Sequence, residues 1–490
     1  MKKLLFNSII LVLLLSACEK LEVINENPNN VSETHPQLLL TKIEWDAFQV
    51  AGVGPMFASR MVVQTDGENS SQYYKWDRGS FGSYDRLRSI TKMIDEAQRI
   101  ESPSYEALGK FFRAYYFYHL TLTFGDIPYS EALKGESDQI FTPGYDTQKD
   151  VFLGILNELY EASDLLTDDI IEGDIIYQGN PEKWHKLISS YKLKILLSLS
   201  KQQDDTELNV KSRFANIVAN EALLESNQDN GQLVFIDQLG SRYTEYNSSG
   251  YGSARYMDST FIQKLKDRSD PRLFIYSDQT RQAKEDGLAI SDFNAYDGGN
   301  PVAFYEQVNE KAAAGLVSKP NLRYTTDPTT EPHMILGYSE LQLILAEALV
   351  RGWISGNAKT YYENGVKASF GFYNLYAENY ASFVDSDAAD VYLANGLVDF
   401  EKATTDEEKI ELIIMQKYLQ SFLQGGWRPF YEKLRTGYPN FLEPQGSAIP
   451  SRWIYPTSEY QLNAENVSAA IQRQFGEGND DIRETPWWLK

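Results

Sequence analysis

Apolar residues recur with helical spacing along most of the chain, whereas the alternation of apolar and polar residues that favours strands is scarce. Two stripes show the spacing: Leu87, Ile90, Ile94 and Ala97 in the first, and Phe112, Tyr115, Tyr116, His119 and Leu120 in the second. Residues three and four apart lie on one face of a helix, so each stripe marks a face that packs into a core. The pattern predicts a mostly α-helical protein with little β structure.

The predicted helices come in pairs that are separated by short turns. The pairs are 84–101 with 104–124, 148–167 with 181–202, 338–352 with 358–371, and 407–424 with a shorter segment near 427–435. In the third pair the small residues Ala346, Ala348 and Ala358 allow two helices to pack closely, and Gly352 stands where a helix C-cap is expected. We predict tetratricopeptide-like helical-hairpin repeats that form a right-handed superhelical core.

Long irregular loops interrupt this rhythm at about 64–83, 230–330 and 436–490, where Gly, Ser, Asn, Pro and Tyr concentrate. Long irregular segments inside a compact domain are usually functional or mobile. No linker divides the chain after residue 30. The predicted organisation is therefore a signal peptide at 1–17, a lipidated tether at 18–30 and a single α-helical domain at 31–490.

The first eighteen residues have the features of a secretory signal. Met1 to Lys3 is positively charged, Leu4 to Leu15 is apolar, and Leu15-Ser16-Ala17-Cys18 closes the segment with small residues. The apolar run is shorter than the ~20 residues of a membrane-spanning helix. Leu-Ser-Ala-Cys resembles the bacterial lipobox, so we expect cleavage before Cys18 and a lipid anchor on that residue.

Charge and cysteine content exclude several classes of protein. With 69 acidic and 46 basic residues the net charge is −23, which disfavours non-specific binding to nucleic acid. Cys18 is the only cysteine, so an intramolecular disulfide and a four-cysteine zinc site are excluded. The four histidines have no metal-ligand spacing.

Catalytic and cofactor motifs are equally scarce. The chain has no Gly-x-Ser-x-Gly and no P-loop, and Gly52-Val53-Gly54 lacks the third glycine of a phosphate cradle. A glycosidase pair among the carboxylates stays open, since its two members need only meet in space. The oxygen-rich segment 227–231 is compatible with calcium, but a solvated loop is the favoured interpretation. We predict no catalytic residue, no metal and no cofactor.

Aromatic residues inside the irregular segments are the remaining candidate chemistry. Aromatic faces stack on the C–H faces of sugar rings, while carboxylate and amide groups pair with hydroxyls. The alternative is that these rings are core residues beneath a long loop. The predicted ligand-binding residues are Asp66, Tyr73, Tyr74, Trp76, Tyr246, Tyr251 and Tyr296.

Motifs distributed along nearly the whole chain resemble one family. They are the lipobox at Cys18, Asn27-Pro28-Asn29-Asn30, Gly125-Asp126-Ile127-Pro128-Tyr129, Trp184-His185-Lys186-Leu187, Ala346-Glu347-Ala348, Gln416-Lys417-Tyr418, Arg435-Thr436-Gly437-Tyr438-Pro439 and the terminal Trp487-Trp488. In this order the sequence resembles the SusD/RagB nutrient-binding outer-membrane lipoproteins, in their SusD-like branch.

The resemblance implies a lipid-anchored protein at the surface of the outer membrane. It would sit on a SusC-like TonB-dependent transporter as a lid, and would capture a glycan or another nutrient without acting as an enzyme. A peptide ligand, a hydrolase of the same uptake system and a scaffold that binds only protein are the alternatives.

Overall fold

The computed structural model describes residues 33–490, so the signal peptide, Cys18 and the tether lie outside the described residues. Helices account for about half of the described part, which confirms the predicted fold class. In chain order the helices are α1 (Pro36–Ala47), α2 (Gly54–Ala58), α3 (Ser83–Arg99), α4 (Pro103–Phe124), α5 (Gln148–Leu165), α6 (Pro181–Ser198), α7 (Val210–Asn220), α8 (Gly250–Ser253), α9 (Ser259–Asp267), α10 (Arg272–Tyr276), α11 (Arg281–Glu285), α12 (Tyr305–Ala313), α13 (Arg323–Thr326), α14 (Tyr338–Val350), α15 (Ala358–Tyr376), α16 (Ser386–Leu393), α17 (Asp406–Leu419), α18 (Arg428–Thr436), α19 (Thr457–Leu462) and α20 (Ala464–Phe475). The strands are β1 (Val62–Gln64), β2 (Gly231–Leu233), β3 (Arg255–Met257) and β4 (His333–Leu336).

The four predicted helix pairs are present. They are α3 with α4, α5 with α6, α14 with α15, and α17 with α18, and in each pair the two helices pack against one another. Neighbouring pairs pack as well, through α4 against α5 and α14 against α17, so that one core runs through the stack. No helix of residues 33–490 is long and apolar enough to cross a bilayer.

Local sequence explains where several helices begin and end. Asn180 caps α6 by accepting from Lys183 N at 3.2 Å, and Pro181 follows it at a position where the missing N–H costs nothing. Thr405 and Glu408 form a capping box at the start of α17. Gly125 ends α4 with φ +94°, and a Cβ there would lie 2.2 Å from Gln474 Oε1. Only glycine fits this position, as the Gly-Asp-Ile-Pro-Tyr motif indicated.

Segment 230–330 is more regular than its composition indicated. It contains β2 and β3 together with six short helices, α8 to α13. These helices of four to nine residues were not predicted, because they carry too few turns to show an apolar stripe. The described strands form two antiparallel pairs, β1 with β3 and β2 with β4.

Close packing within the pair α14–α15 depends on Gly365. A Cβ at this position would lie 2.8 Å from Leu343 Cγ and 3.1 Å from Ser339 O, and Leu343 is fully buried. Gly371 lies on the same helix, is exposed, and would place its Cβ 3.6 Å from Asn227 Nδ2, an ordinary contact.

We predict that Gly365→Ala lowers the free energy of unfolding by about 1–3 kcal/mol, because the helices must move apart. Gly371→Ala is the matched control and should leave stability unchanged or raise it by about 0.5–1 kcal/mol, since alanine favours the helix. Urea titration of both variants measures the difference, and equal effects would contradict the packing argument.

Candidate functional site

Three segments predicted as irregular meet around β1. Val62 and Gln64 of β1 pair with Met257 and Arg255 of β3. The residue after β3, Asp258, bridges Gly299 in parallel fashion. Residues 65–76, 244–256 and 296–306 therefore lie side by side, and we call them together the loop surface. The third predicted segment reaches it through Ser447, whose hydroxyl donates to Tyr73 O at 3.3 Å.

The structure buries Trp76, which the sequence marked as a stacking platform. Its ring is 7% exposed and lies face to face with Trp453, with centroids 4.7 Å apart and an interplanar angle of 9°. Trp427 and Phe430 pack at its edges, and the indole N–H donates to Arg452 O at 3.1 Å. Because the neighbouring rings cover it, Trp76 presents no free face to a ligand in this conformation.

Four of the five predicted tyrosines are buried: Tyr74, Tyr251 and Tyr296 belong to the hydrophobic core, and Tyr73, 7% exposed, lies outside that cluster. Tyr74 donates to Ala58 O at 3.0 Å and lies beneath the guanidinium of Arg60, whose Cζ is 4.1 Å from the ring centre. The hydroxyl of Tyr296 donates to Ile290 O at 2.8 Å, and Tyr251 lies beneath the loop surface at 3% exposure. The alternative that these rings belong to the core describes Tyr74, Tyr251 and Tyr296. A tyrosine in a loop has the same sequence context whether its ring faces a ligand or packs into the core. Sequence alone therefore does not distinguish the two roles.

Asp66 and Tyr246 are the predicted residues with the most accessible side chains. Asp66 is exposed directly after Thr65, whose backbone N–H donates to Ala254 O at 3.0 Å. Tyr246 is half-buried beside Arg242, with the guanidinium carbon 5.2 Å from the ring centre. Their binding roles stay predictions.

An aromatic and acidic group at the edge of the loop surface was missed by sequence reasoning. Phe304 is 70% exposed and follows Ala303, whose carbonyl accepts from the hydroxyl of Tyr73 at 2.8 Å. Burial raises the pKa of Tyr73, and the nearby carboxylates of Glu68 and Glu306 raise it further. We call Glu68, Tyr73, Phe304, Tyr305 and Glu306 the acidic–aromatic strip. Its signal was the Phe-Tyr pair at 304–305, which two residues separate from the Gly-Gly-Asn-Pro turn at 298–301.

The strip combines the groups that sugar recognition uses. Phe304 offers an exposed face for the apolar side of a sugar ring, and Tyr305 is half-buried beside it. Glu68 and Glu306 are exposed carboxylates that accept from hydroxyl groups. An accessible ring flanked by hydrogen-bond acceptors suits a polyhydroxylated ligand better than an apolar one.

Metal chemistry has no support in the described residues. No group of three or more His, Cys, Asp or Glu side chains among residues 33–490 is arranged to hold a metal ion. In segment 227–231, Asp229 lies 3.5 Å from the ammonium of Lys186 and accepts from Glu225 N at 2.9 Å. The oxygens of segment 227–231 thus serve local structure.

Several known proteins are similar to this chain. Residues 28–456 match the model of a SusD-like family described as starch-binding and associating with the outer membrane. A SusD homologue from Bacteroides fragilis NCTC 9343 is 53% identical, with a TM-score of 0.89 over 94% of this chain and 100% of that chain. A second homologue from that strain is 34% identical, with a TM-score of 0.87 over 93% of this chain and 100% of that one.

More distant similarity extends to the fold alone. A chitin-binding SusD homologue from Flavobacterium johnsoniae is 19% identical, with a TM-score of 0.75 over 93% of this chain and 99% of that chain. A search of curated proteins gave no match.

Trp76→Ala should destabilise the protein by about 3–5 kcal/mol, because it opens a cavity between Trp453, Trp427 and Phe430. Phe304→Ala is the matched control, since its ring is exposed, and should change stability by less than about 0.5 kcal/mol. Thermal unfolding of both variants measures the effect. A stable Trp76 variant with weakened glycan binding would restore the stacking role.

Asp258 caps α9 beneath the loop surface and gives a pH-dependent test. Burial raises its pKa to about 6, although Thr260 and Arg60 oppose the shift. Its Oδ1 accepts from Thr260 N at 2.6 Å, and Oδ2 has no partner. Since the pKa in the unfolded chain is about 3.9, the contribution of this group to stability is complete below pH ~4 and is lost as the pH rises through 6.

Asp258→Asn keeps the cap and cannot ionise, so the variant should gain up to about 2–3 kcal/mol relative to the native protein between pH 4.5 and pH 8. Thr260→Val removes a hydroxyl that donates to Asp258 Oδ1 at 2.7 Å and lowers the pKa of that carboxyl, so this variant should lose more stability than the native protein as the pH rises. Urea unfolding across this range decides the matter, and a stability difference that does not vary with pH would contradict the buried-carboxyl account.

Proposed function

Because the chain belongs to the SusD-like family of outer-membrane-associated proteins, we propose that it is a cell-surface receptor that binds a glycan and is not an enzyme. The acidic–aromatic strip is the observation that carries this proposal. It places an exposed ring, a half-buried ring and two carboxylates on a loop and on the first turn of α12, which pack against the helical core. Capture requires only such complementary groups, whereas hydrolysis would require a paired acid and base at a defined separation.

The proposed site follows the geometry of the loop surface. Phe304 and Tyr305 would stack on sugar rings, and Glu68, Glu306 and Asp66 would accept from hydroxyl groups. Tyr73, the buried member of the strip, would hold segment 296–306 in place, since its hydroxyl donates to Ala303 O. Tyr246 is retained as a contact at the far side of the loop surface.

Membrane attachment and delivery complete the proposal. Cleavage before Cys18 and lipidation of that residue would anchor the protein, and residues 18–30 would serve as a tether. A SusC-like TonB-dependent transporter is the proposed partner that receives the glycan. The family description, which names association with the outer membrane, supports this placement.

Affinity electrophoresis tests the ligand class. The purified lipoprotein, kept in detergent, is run through native gels that contain starch, soluble chitin oligosaccharides or other glycans, because the family and one structural relative name the first two ligands. We predict retardation by one glycan class and no release of sugar from it. If no glycan slowed the migration of the protein, glycan binding would be contradicted and a peptide or another nutrient would be favoured as the ligand.

Phe304→Ala should weaken the retardation about five- to tenfold, which corresponds to the loss of one aromatic stacking contact of about 1 kcal/mol. Phe141→Ala is the matched control, because Phe141 is 77% exposed and its segment, 135–141, is separate from the loop surface. Equal binding by the two variants would place the site elsewhere.

A further inference from the structure

A cavity of about 300 Å³ lies between α4, α6, β4 and the turn that precedes α18. Its exposed or half-buried lining residues mark the mouth: Gln49, Ala51, Ser80, Ser83 and Trp427. The ring of Trp427 also packs on Trp76, so the cavity borders the buried ring cluster. This volume is at the lower end of the range for small-molecule pockets and suits a single sugar ring.

Two residues that line the cavity each carry a buried polar atom that has no partner in the described residues. The hydroxyl of Tyr116 is one, with the residue 8% exposed. The other is Nε2 of His333, a residue that is 7% exposed. His333 Nδ1 lies 2.9 Å from Phe48 O, and since a carbonyl only accepts, Nδ1 donates. In the neutral ring Nε2 is therefore a buried acceptor without a partner among the described residues.

The cavity is lined by cations but not by carboxylates among the described residues. Lys194 donates to Ile335 O at 3.0 Å, and its ammonium lies 3.3 Å from Glu340. These two contacts use two of its three N–H groups, so the third can donate to a ligand. Arg428 pairs with the same carboxylate and donates to Gly425 O and Gln424 O. Both cations thus pair with the carboxylate of Glu340, and Glu432 is a second carboxylate near enough to raise the pKa of each.

The pKa values of the two histidines beside these cations are lowered in part by the same positive charges. Burial lowers the pKa of His119 to about 3, and Lys194 and Arg428 lower it as well. Burial lowers the pKa of His333 to about 4, with Arg428 as the second cause. Burial, Arg428 and Lys417 lower the pKa of Lys194 itself. A negative charge among these groups would relieve the repulsion.

We propose that this cavity binds an acidic monosaccharide, a hexuronate, as a second ligand site distinct from the loop surface. The carboxylate lies against the remaining N–H groups of Lys194 and Arg428. Hydroxyl groups of the sugar pair with His333 Nε2 and the Tyr116 hydroxyl, and the ring packs beside Trp427. A hexuronate has one negative charge and several hydroxyl groups, which complement the cations and the unpartnered polar groups of the lining residues.

Isothermal titration of the purified lipoprotein with D-galacturonate and D-glucuronate tests the proposal, with D-galactose and D-glucose as the neutral partners. At least one hexuronate should bind tenfold or more tightly than its neutral counterpart, and added salt should weaken it. Absence of binding by both hexuronates, or equal binding of charged and neutral sugars, would overturn the proposal.

Tyr116→Phe removes the unpartnered hydroxyl without opening a space and should weaken hexuronate binding at least threefold. Tyr191→Phe is the matched control, because Tyr191 is also buried with an unpartnered hydroxyl but does not line the cavity. Equal affinities for the two variants would overturn the assignment. Phe304→Ala should leave hexuronate binding unchanged, so failure of the cavity proposal is distinguishable from failure of the loop-surface proposal.

Discussion

A buried network of ion pairs fixes the helices on which the rest of the structure depends. Arg435 of α18 is held by Glu347 of α14, with Nη1–Oε1 and Nη2–Oε2 distances of 2.5 and 2.7 Å, and both residues are almost fully buried. Lys417 of α17 pairs with Glu432 of α18. Burial alone would raise the pKa of Glu347, but Arg435 keeps it below its usual range. Any arrangement of the helices that separated these partners would leave an unpaired buried charge, which is strongly destabilising. The ion pairs therefore favour a single arrangement of α14, α17 and α18.

This constraint explains what the family motifs do. Glu347, Lys417 and Arg435 belong to three separate motifs, and they meet in the network. Asp126 of the Gly-Asp-Ile-Pro-Tyr motif accepts from Arg473 Nε at 2.8 Å, although burial raises the pKa of Asp126 to about 6. Trp184 donates to Asp174 Oδ2 at 2.9 Å. These motifs thus specify the frame, and the loops can vary on top of it to suit different ligands.

The fold was largely predictable because helix pairs are local. Caps such as Thr405 and Gly352, and stripes such as the one through Leu87, are encoded within a few residues. For the site, the sequence predicted the segments that form it but not which of their side chains are exposed. Sequence placed rings in irregular segments, but the burial of Trp76 depends on Trp453, a residue 377 positions away. Phe304 was overlooked because its exposure depends on how segment 296–306 lies against Tyr73.

In the proposed function, the loop surface binds the ligand while the helical frame stays rigid. Hydrogen–deuterium exchange tests this most directly, with and without the glycan that slows the protein's migration in native gels. The account predicts that added glycan protects amides in 65–76 and 296–306, while α14, α17 and α18 exchange slowly with and without ligand. Protection confined to the helices, or ligand-dependent exchange throughout α14 and α18, would contradict it.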